Sequence, residues 1–359
     1  MASSAYKYEI ALQLLLRSSL RQIYALLHQY GSAEEAWAHL DKPGMDECWR
    51  KAEQEIAWIE DHRIRVWTQS DEDYPYRLKQ CPDRPFLLFG KGNMDLSEGH
   101  MVSIVGTRRP TPYGMEMTEK LVRELHERLD KLTIISGGAY GIDICAHRAA
   151  IKYGVPTIIV PAHGLDRIYP SVHRPEAIAS MEKGGLLTEF MSGTEPIAPH
   201  FVQRNRIVAG LADAVVVVES KEKGGSLITA SMACDYDRDL FAFPGRPMDI
   251  LASGCNKLIR DNKAQLITSA DDLIYAMKWD EDNNNRQPIQ TQMVELYDDL
   301  TLNQQTIMQL LQTAEEGMHI NLIVMETQMT YGDVAAEMVM LEVQGLVKAY
   351  PGGIYRVVR

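Results

Sequence analysis

Short β-branched runs that end in glycine and open into helical patterns constrain this chain more than any other feature. Val102 to Val105 breaks at Gly106 into Thr107-Arg-Arg-Pro-Thr-Pro-Tyr-Gly114, and a helical pattern follows from Met115. Ile134-Ile-Ser136 runs into Gly137-Gly-Ala-Tyr-Gly141, and a helix is expected over Cys145 to Tyr153. Two such turns about thirty residues apart match the length of a βαβ unit. Thr157 to Val160, Gly185 to Thr188, Ala214 to Val218 and Leu240 to Phe243 continue the series. Five apolar residues at Ala214 to Val218, four of them β-branched, suit a central parallel strand buried on both faces. Strands alternating with helices over residues 100–268 predict an α/β fold, a doubly wound Rossmann-like parallel sheet.

Ligands of such sheets bind beyond the carboxyl ends of the strands. A strand that ends in glycine before a helix N-terminus also offers free amides and a dipole to an anion. Arg108 and Arg109 lie within the first loop, and that loop reads as built for a polyanion. Gly137 and Gly138 are expected to permit close backbone approach and positive φ. Phe201-Val-Gln-Arg204-Asn205-Arg206 precedes an apolar helical face, and Lys221 and Lys223 flank Glu222 after the fifth strand. Each tripeptide alone is equally compatible with solvated surface cations. Their recurrence in loops after different strands, at one sheet edge, points to a phosphate groove.

These residues carry a resemblance. Gly106-Thr-Arg108, Ser136-Gly-Gly-Ala-Tyr-Gly-Ile-Asp143, Gly164-Leu-Asp-Arg-Ile-Tyr-Pro170 and Arg204-Asn-Arg-Ile-Val-Ala-Gly210 closely resemble the DNA-processing protein A (DprA/Smf) family. So do Gly225-Ser-Leu-Ile-Thr-Ala230, Ala242-Phe-Pro-Gly245 and Gly254-Cys-Asn-Lys-Leu-Ile259, in family order. The match covers the central domain fully and the flanks loosely. His163, His173 and Lys263 depart from the usual pattern.

The resemblance implies a cytoplasmic, non-catalytic protein that binds and protects incoming single-stranded DNA during natural transformation and loads the recombinase RecA. It implies no cofactor, no metal and no membrane. Arg108, Arg204 and Arg206 fall on the family's first-loop arginine and its Arg-Asn-Arg pair. The expected DNA-binding set is Gly106, Thr107, Arg108, Arg109, Ser136, Gly137, Gly138, Arg204, Asn205, Arg206, Lys221, Lys223, Gly225 and Ser226. Family members also dimerise near Leu258, Ile259 and Leu266, so a homodimer through those residues is expected. Asp143 is expected to cap its helix, and Glu189 to hold a groove arginine's fork toward the phosphates.

Two enzymatic alternatives read less well. A related fold family hydrolyses nucleoside monophosphates with a glutamate after a Pro-Gly-Gly-x-Gly-Thr loop, whereas Lys223-Gly-Gly-Ser-Leu-Ile-Thr-Ala-Ser here offers none. The G-x-G-x-x-G fingerprint of a dinucleotide oxidoreductase is missing, because Thr-Arg-Arg-Pro follows Gly106.

The net charge of −12 argues against a nucleic-acid binder only until it is divided by region. Residues 101–260 hold 19 Lys/Arg against 18 Asp/Glu, whereas 261–359 hold 6 against 15, so the acid lies in the flanks. Cys48, Cys81, Cys145, Cys234 and Cys255 form no Cys-x-x-Cys pair and imply neither a disulfide framework nor a zinc site. No signal peptide layout and no membrane-length apolar run is present.

The expected domains are 1–80, 81–278 and 294–359, with a linker at 279–293. The first reads as helices from Tyr8 to about Trp67, with Trp37, Trp49, Trp58 and Trp67 in its core. Arg17-Ser-Ser-Leu20 stands where a helix-hairpin-helix module carries its glycine, so this region is expected to dock rather than touch DNA. The last reads as three helices and a hairpin around Pro351-Gly-Gly353, a winged helix. It holds 9 acidic against 3 basic residues over 295–359, and its recognition helix carries Asp333, Glu337 and Glu342 with no Lys or Arg. Duplex phosphates need cations, so protein contact is expected there.

Overall fold

Strands buried at nearly every position build one sheet with a core on each face. The computed structural model describes residues 6–16, 19–279, 300–312, 314, 318–350 and 354–357. Four helices come first: α1 (Lys7–Leu15), α2 (Leu20–Tyr30), α3 (Ala33–Ala38) and α4 (Met45–His62). Then follow β1 (Arg65–Thr68), α5 (Tyr76–Lys79), β2 (Leu87–Gly92), β3 (His100–Val105) and α6 (Pro112–Arg128). The alternation continues with β4 (Leu132–Ser136), α7 (Ile142–Tyr153), β5 (Thr157–Ile159), α8 (Arg174–Ser180), β6 (Gly185–Thr188) and α9 (Ala198–Gly210). It closes with β7 (Ala214–Val217), α10 (Ser226–Asp235), β8 (Asp239–Ala242), α11 (Ser253–Arg260), β9 (Gln265–Leu266) and α12 (Ala270–Met277).

The strand order is β1-β2-β6-β5-β4-β3-β7-β8-β9. From β3 the chain winds outward through β4, β5 and β6, then returns to place β7 on the other side of β3. That reversal makes β3 and β7 the switch point of the sheet, where a crevice opens. Met101 and Val105 face one core together with Val215 and Val217. Val102 and Ile104 face the other with Ala214 and Val216.

Two strands differ from the expected parallel sheet. β1 and β2 pair antiparallel with each other, and β2 pairs antiparallel with β6, so the sheet ends in an antiparallel edge. β1 lies inside the stretch expected to be helical, and the sheet therefore begins before the expected boundary at residue 80. Its burial pattern, one exposed residue then three buried, has too short a run to show a period of two. Trp67 sits on this strand, buried, while Trp37, Trp49 and Trp58 pack around Ile56 and Ile59 of the helical region. Trp37 and Trp49 stack at 5.6 Å and are half-buried against that core. Residues 17 and 18, in the stretch where a hairpin module carries its glycine, fall outside the described residues.

Trp279, expected to open the linker, is buried with the second core and lies 4.3 Å from the His100 ring. The remainder of the linker is outside the described residues, as is the wing turn at Pro351–Gly353. The chain divides into units 1–280 and 281–359. The second unit contains α13 (Leu302–Gln312), β10 (Met318–His319), α14 (Ile320–Thr327), α15 (Tyr331–Val343), β11 (Val347–Tyr350) and β12 (Ile354–Val357). Its strands order as β10-β12-β11, antiparallel, over a core that includes Ile307, Ile323, Val334, Met338 and Leu341. This is a winged helix. Two carboxylates of α15 are engaged internally, Glu337 by Gln304 Nε2 and Glu342 by the Ala349 amide.

Candidate nucleic-acid interface

The loop after β3 is fixed from both sides. Thr107 donates its amide to Glu219 O (2.8 Å) and accepts from the Ile142 amide (3.1 Å), tying β3 to the end of β7 and the start of α7. A Cβ on Gly106 would stand 2.6 Å from Ile142 Cγ1, so glycine here serves close helix packing. The α6 N-terminus does not wait for a phosphate. The buried Glu219 carboxylate accepts from the Thr111 amide (2.9 Å) and hydroxyl, placing an internal anion against that dipole.

The anion-accessible edge lies on the other side of the same loops. A cavity of about 500 Å³ opens there, lined by Gly106, Thr107 and Arg108, by Gly137, by Phe201, Arg204 and Asn205 of α9, and by Lys221, Gly225 and Ser226. Arg108 is exposed, with its guanidinium carbon 5.4 Å from the Phe201 ring centre. Tyr169 meets the same ring edge-on at 6.1 Å and is half exposed. Phe201 and Tyr169 were not among the expected site residues. Phe201 stands three positions before Arg204, a spacing that puts both on one helix face, and that signal was available.

Of the expected set, Gly106, Thr107, Arg108, Gly137, Arg204, Asn205, Lys221, Gly225 and Ser226 line this cavity. Arg109 and Lys223 are exposed beside it. Ser136 is fully buried, and its hydroxyl donates to Ile104 O at 2.6 Å. Gly138 adopts φ +66°, and its carbonyl accepts from His173 Nδ1 at 2.9 Å. Gly137 does not have positive φ; a Cβ there would collide with the Arg204 guanidinium at 2.5 Å.

Arg204 is itself buried. Its Nη1 donates to Gly137 O and Val160 O, at the ends of β4 and β5, which leaves it a wall of the cavity rather than a free arm. Burial lowers its pKa to about 10, against the pull of Asp143. Arg206 departs furthest from expectation. It points to the opposite side of α9, where Nη2 meets Glu189 Oε2 at 2.5 Å and Nη1 donates to Asp83 O, with both side chains buried. Glu189 does hold an arginine, but one turned away from the groove. Burial pushes the Glu189 carboxyl up, opposed by Arg206. Asp143 accepts from the Ala139 amide (3.4 Å) in the turn ahead of α7 rather than from the first-turn amides of the helix. Burial raises its pKa, and Arg204 lowers it.

Leu258 and Ile259, expected at a dimer contact, are half-buried against the molecule's own core, whereas Leu266 on edge strand β9 is exposed. Among the described residues no cluster of three His, Cys, Asp or Glu is placed to hold a metal, and no helix is long and apolar enough to cross a membrane.

The sheet, its switch-point cavity and the second unit define a Rossmann-like α/β protein with an appended winged helix. The family model for DNA recombination-mediator protein A matches residues 65–278, and that for the DprA winged helix domain matches 294–353. The chain belongs to this DprA/Smf family. It is 41% identical to the DNA processing protein DprA of Streptococcus pneumoniae over 204 residues, 57% of this chain and 71% of that protein. It is 34% identical to the protein Smf of Synechocystis, over 84% of this chain and 83% of the relative. The X-ray structure of the Streptococcus pneumoniae protein aligns with TM-score 0.64 and 32% identity, over 77% of this chain and 97% of that one. DNA processing protein A from Helicobacter pylori, solved for its single-stranded DNA binding mode, aligns with TM-score 0.55 and 32% identity, over 61% of this chain and 97% of that one.

Proposed function

We propose that this protein binds single-stranded DNA without catalysis, protects it, and delivers it to a RecA-type recombinase during natural transformation. One observation carries the reading. At the switch point an exposed guanidinium (Arg108), an aromatic ring (Phe201), a lysine (Lys221) and the start of α10 converge on one open cavity. Cations that follow a backbone together with rings that take base faces are the two elements of sequence-tolerant strand binding. The single-stranded DNA binding mode of the Helicobacter pylori relative supports the same reading. Asp143 lines the cavity but is buried and accepts from the Ala139 amide, while the buried carboxylates Glu189 and Glu219 are taken up by Arg206 and Thr111, which argues against acid–base chemistry.

Gel shifts with single- and double-stranded oligonucleotides across a salt series test this. Replacing Arg108 and Lys221 with alanine is expected to weaken single-strand binding about tenfold. Each phosphate contact removed should flatten the slope of log K against log salt by about 0.7. Unchanged affinity and slope, or strand cleavage by the purified protein with magnesium, would overturn the assignment.

We also infer a homodimer, with the contact on exposed Leu266 and the edge strand β9 rather than on Leu258 and Ile259. Leu266→Arg is expected to convert a dimer to a monomer by light scattering. A wild-type monomer at tens of micromolar, or a dimeric variant, removes the proposal. The α15 surface, free of Lys and Arg, is assigned to protein rather than DNA contact. Isolated duplex binding by residues 294–359 would contradict that assignment.

A further inference from the structure

The two loops that wall the switch-point cavity also wall a second one. Gly106–Arg108 and Ser220–Lys221 face the first cavity; Thr111–Tyr113 and Val218–Glu219, the neighbouring residues of the same loops, face the other. This second space, about 850 Å³, is closed on its far side by the segment from Phe243 to Ala252 that joins β8 to α11. Its walls are largely apolar: Tyr113, Phe243, Pro244, Met248, Ile250 and Leu251. Met248 is 91% exposed and Ile250 72%, a concentration of bare apolar surface that a soluble protein keeps for a ligand or partner.

Three further observations narrow the occupant. Tyr113 is 43% exposed, and its hydroxyl donates to Pro244 O at 3.2 Å, so the ring is held in place against the loop. Two carboxylates lie in the wall: Glu219, with both oxygens engaged by Thr111, repels little, and Asp249 is exposed to solvent on the same loop as Arg246. Arg109 on the ridge between the cavities and Arg246 in the groove wall form no ion pair among the described residues. A fixed ring under an apolar hood, flanked by unpaired guanidinium groups, offers stacking to bases and charge to phosphates.

We propose that a strand seated in the first cavity crosses the ridge and places further bases in this groove. Tyr113 stacks on them, Met248 and Ile250 cover them, and Arg109 and Arg246 meet the phosphates. The inference rests on the single-strand reading above and extends its footprint.

The test is the length dependence of binding by the full chain, using oligothymidylates from about 4 to about 16 nucleotides, the range of site sizes in known single-strand folds. Affinity of the wild type is expected to keep rising with length. Tyr113→Ala and Met248→Asp should bind the shortest oligonucleotide like wild type and lose about fivefold to tenfold on the longest. Tyr113→Phe keeps the ring but loses the hydroxyl bond to Pro244 O, and should fall between wild type and Tyr113→Ala. Met248 lies in solvent, so its replacement does not threaten the fold. A length profile unchanged in both variants overturns the proposal and leaves the groove to a protein partner; a loss equal at every length overturns it as well. Arg108→Ala is the separate control. It should weaken every length, and its failure to do so would sink the parent reading whatever the groove does.

Discussion

Arg206→Ala should cost about 3–5 kcal/mol of stability while leaving the salt dependence of DNA binding unchanged. The reason is the place of its guanidinium. Arg206 and Glu189 form a buried pair, and the second Glu189 oxygen has no hydrogen-bond partner. Removing the arginine leaves the Glu189 carboxyl buried without its charge partner and orphans Asp83 O. Leaving one charge of a buried pair unmatched is far more costly than never having had the pair. The double replacement Arg206→Met with Glu189→Leu should therefore recover most of the loss. Urea midpoints followed by tryptophan fluorescence measure the first effect, and gel shifts at several salt concentrations measure the second. A loss below about 1 kcal/mol, the range of exposed ion pairs, or a flattened salt slope would return Arg206 to the groove.

The second large effect is a pH dependence centred on His147. This side chain is fully buried on α7, with Nδ1 donating to Thr157 Oγ1 at 2.8 Å while that hydroxyl donates to Ile134 O at 2.9 Å. Burial, with Arg204 and His173 nearby, holds its pKa at about 3 against an ordinary 6.5. Between those values the unfolded chain binds a proton that the folded chain refuses. Stability therefore falls as pH drops from 6.5 towards 3, by about 2 kcal/mol at pH 5. Asp143 and Glu189, whose carboxyls burial pushes up, act in the opposite direction. The contribution of the histidine is isolated by comparing wild type with His147→Gln. Urea midpoints at pH 7 and pH 5 should differ less in the variant, and equal differences in the two proteins would refute the assignment.

The sheet was legible because its inner strands are short apolar runs, as burial on both faces requires, and because β3 and β4 end at glycine. Ala214 to Val217 and Gly185 to Thr188 stand where the sequence puts them. The antiparallel edge was not legible. β1 has four residues, and β2 ends in Gly-Lys-Gly, which reads as a turn. The cavity was half legible. Loops after β3, β4 and β7 were expected to meet, and they do. Arg204 and Arg206 were expected to act together, yet residues two apart on a helix stand about 200° apart around its axis. They accordingly serve different faces of α9. Glycine was also ambiguous by nature. Gly106 and Gly137 suit a bound phosphate or a close internal neighbour equally well, and only the packed structure separates the two.

Glu219 has a kinetic consequence. Folds that hold a mononucleotide tightly give the helix terminus after the first strand to one phosphate, and here the α6 terminus is already filled from within. On the proposed reading a strand is then held by many modest contacts in series, none of them indispensable. Such a grip is an avidity: it grows with the number of nucleotides engaged and can be undone one residue at a time. A competitor that nucleates on a freed end could advance as the strand peels away, without waiting for complete dissociation. On the proposed reading, in which the strand is handed on, having no single anchor is an advantage.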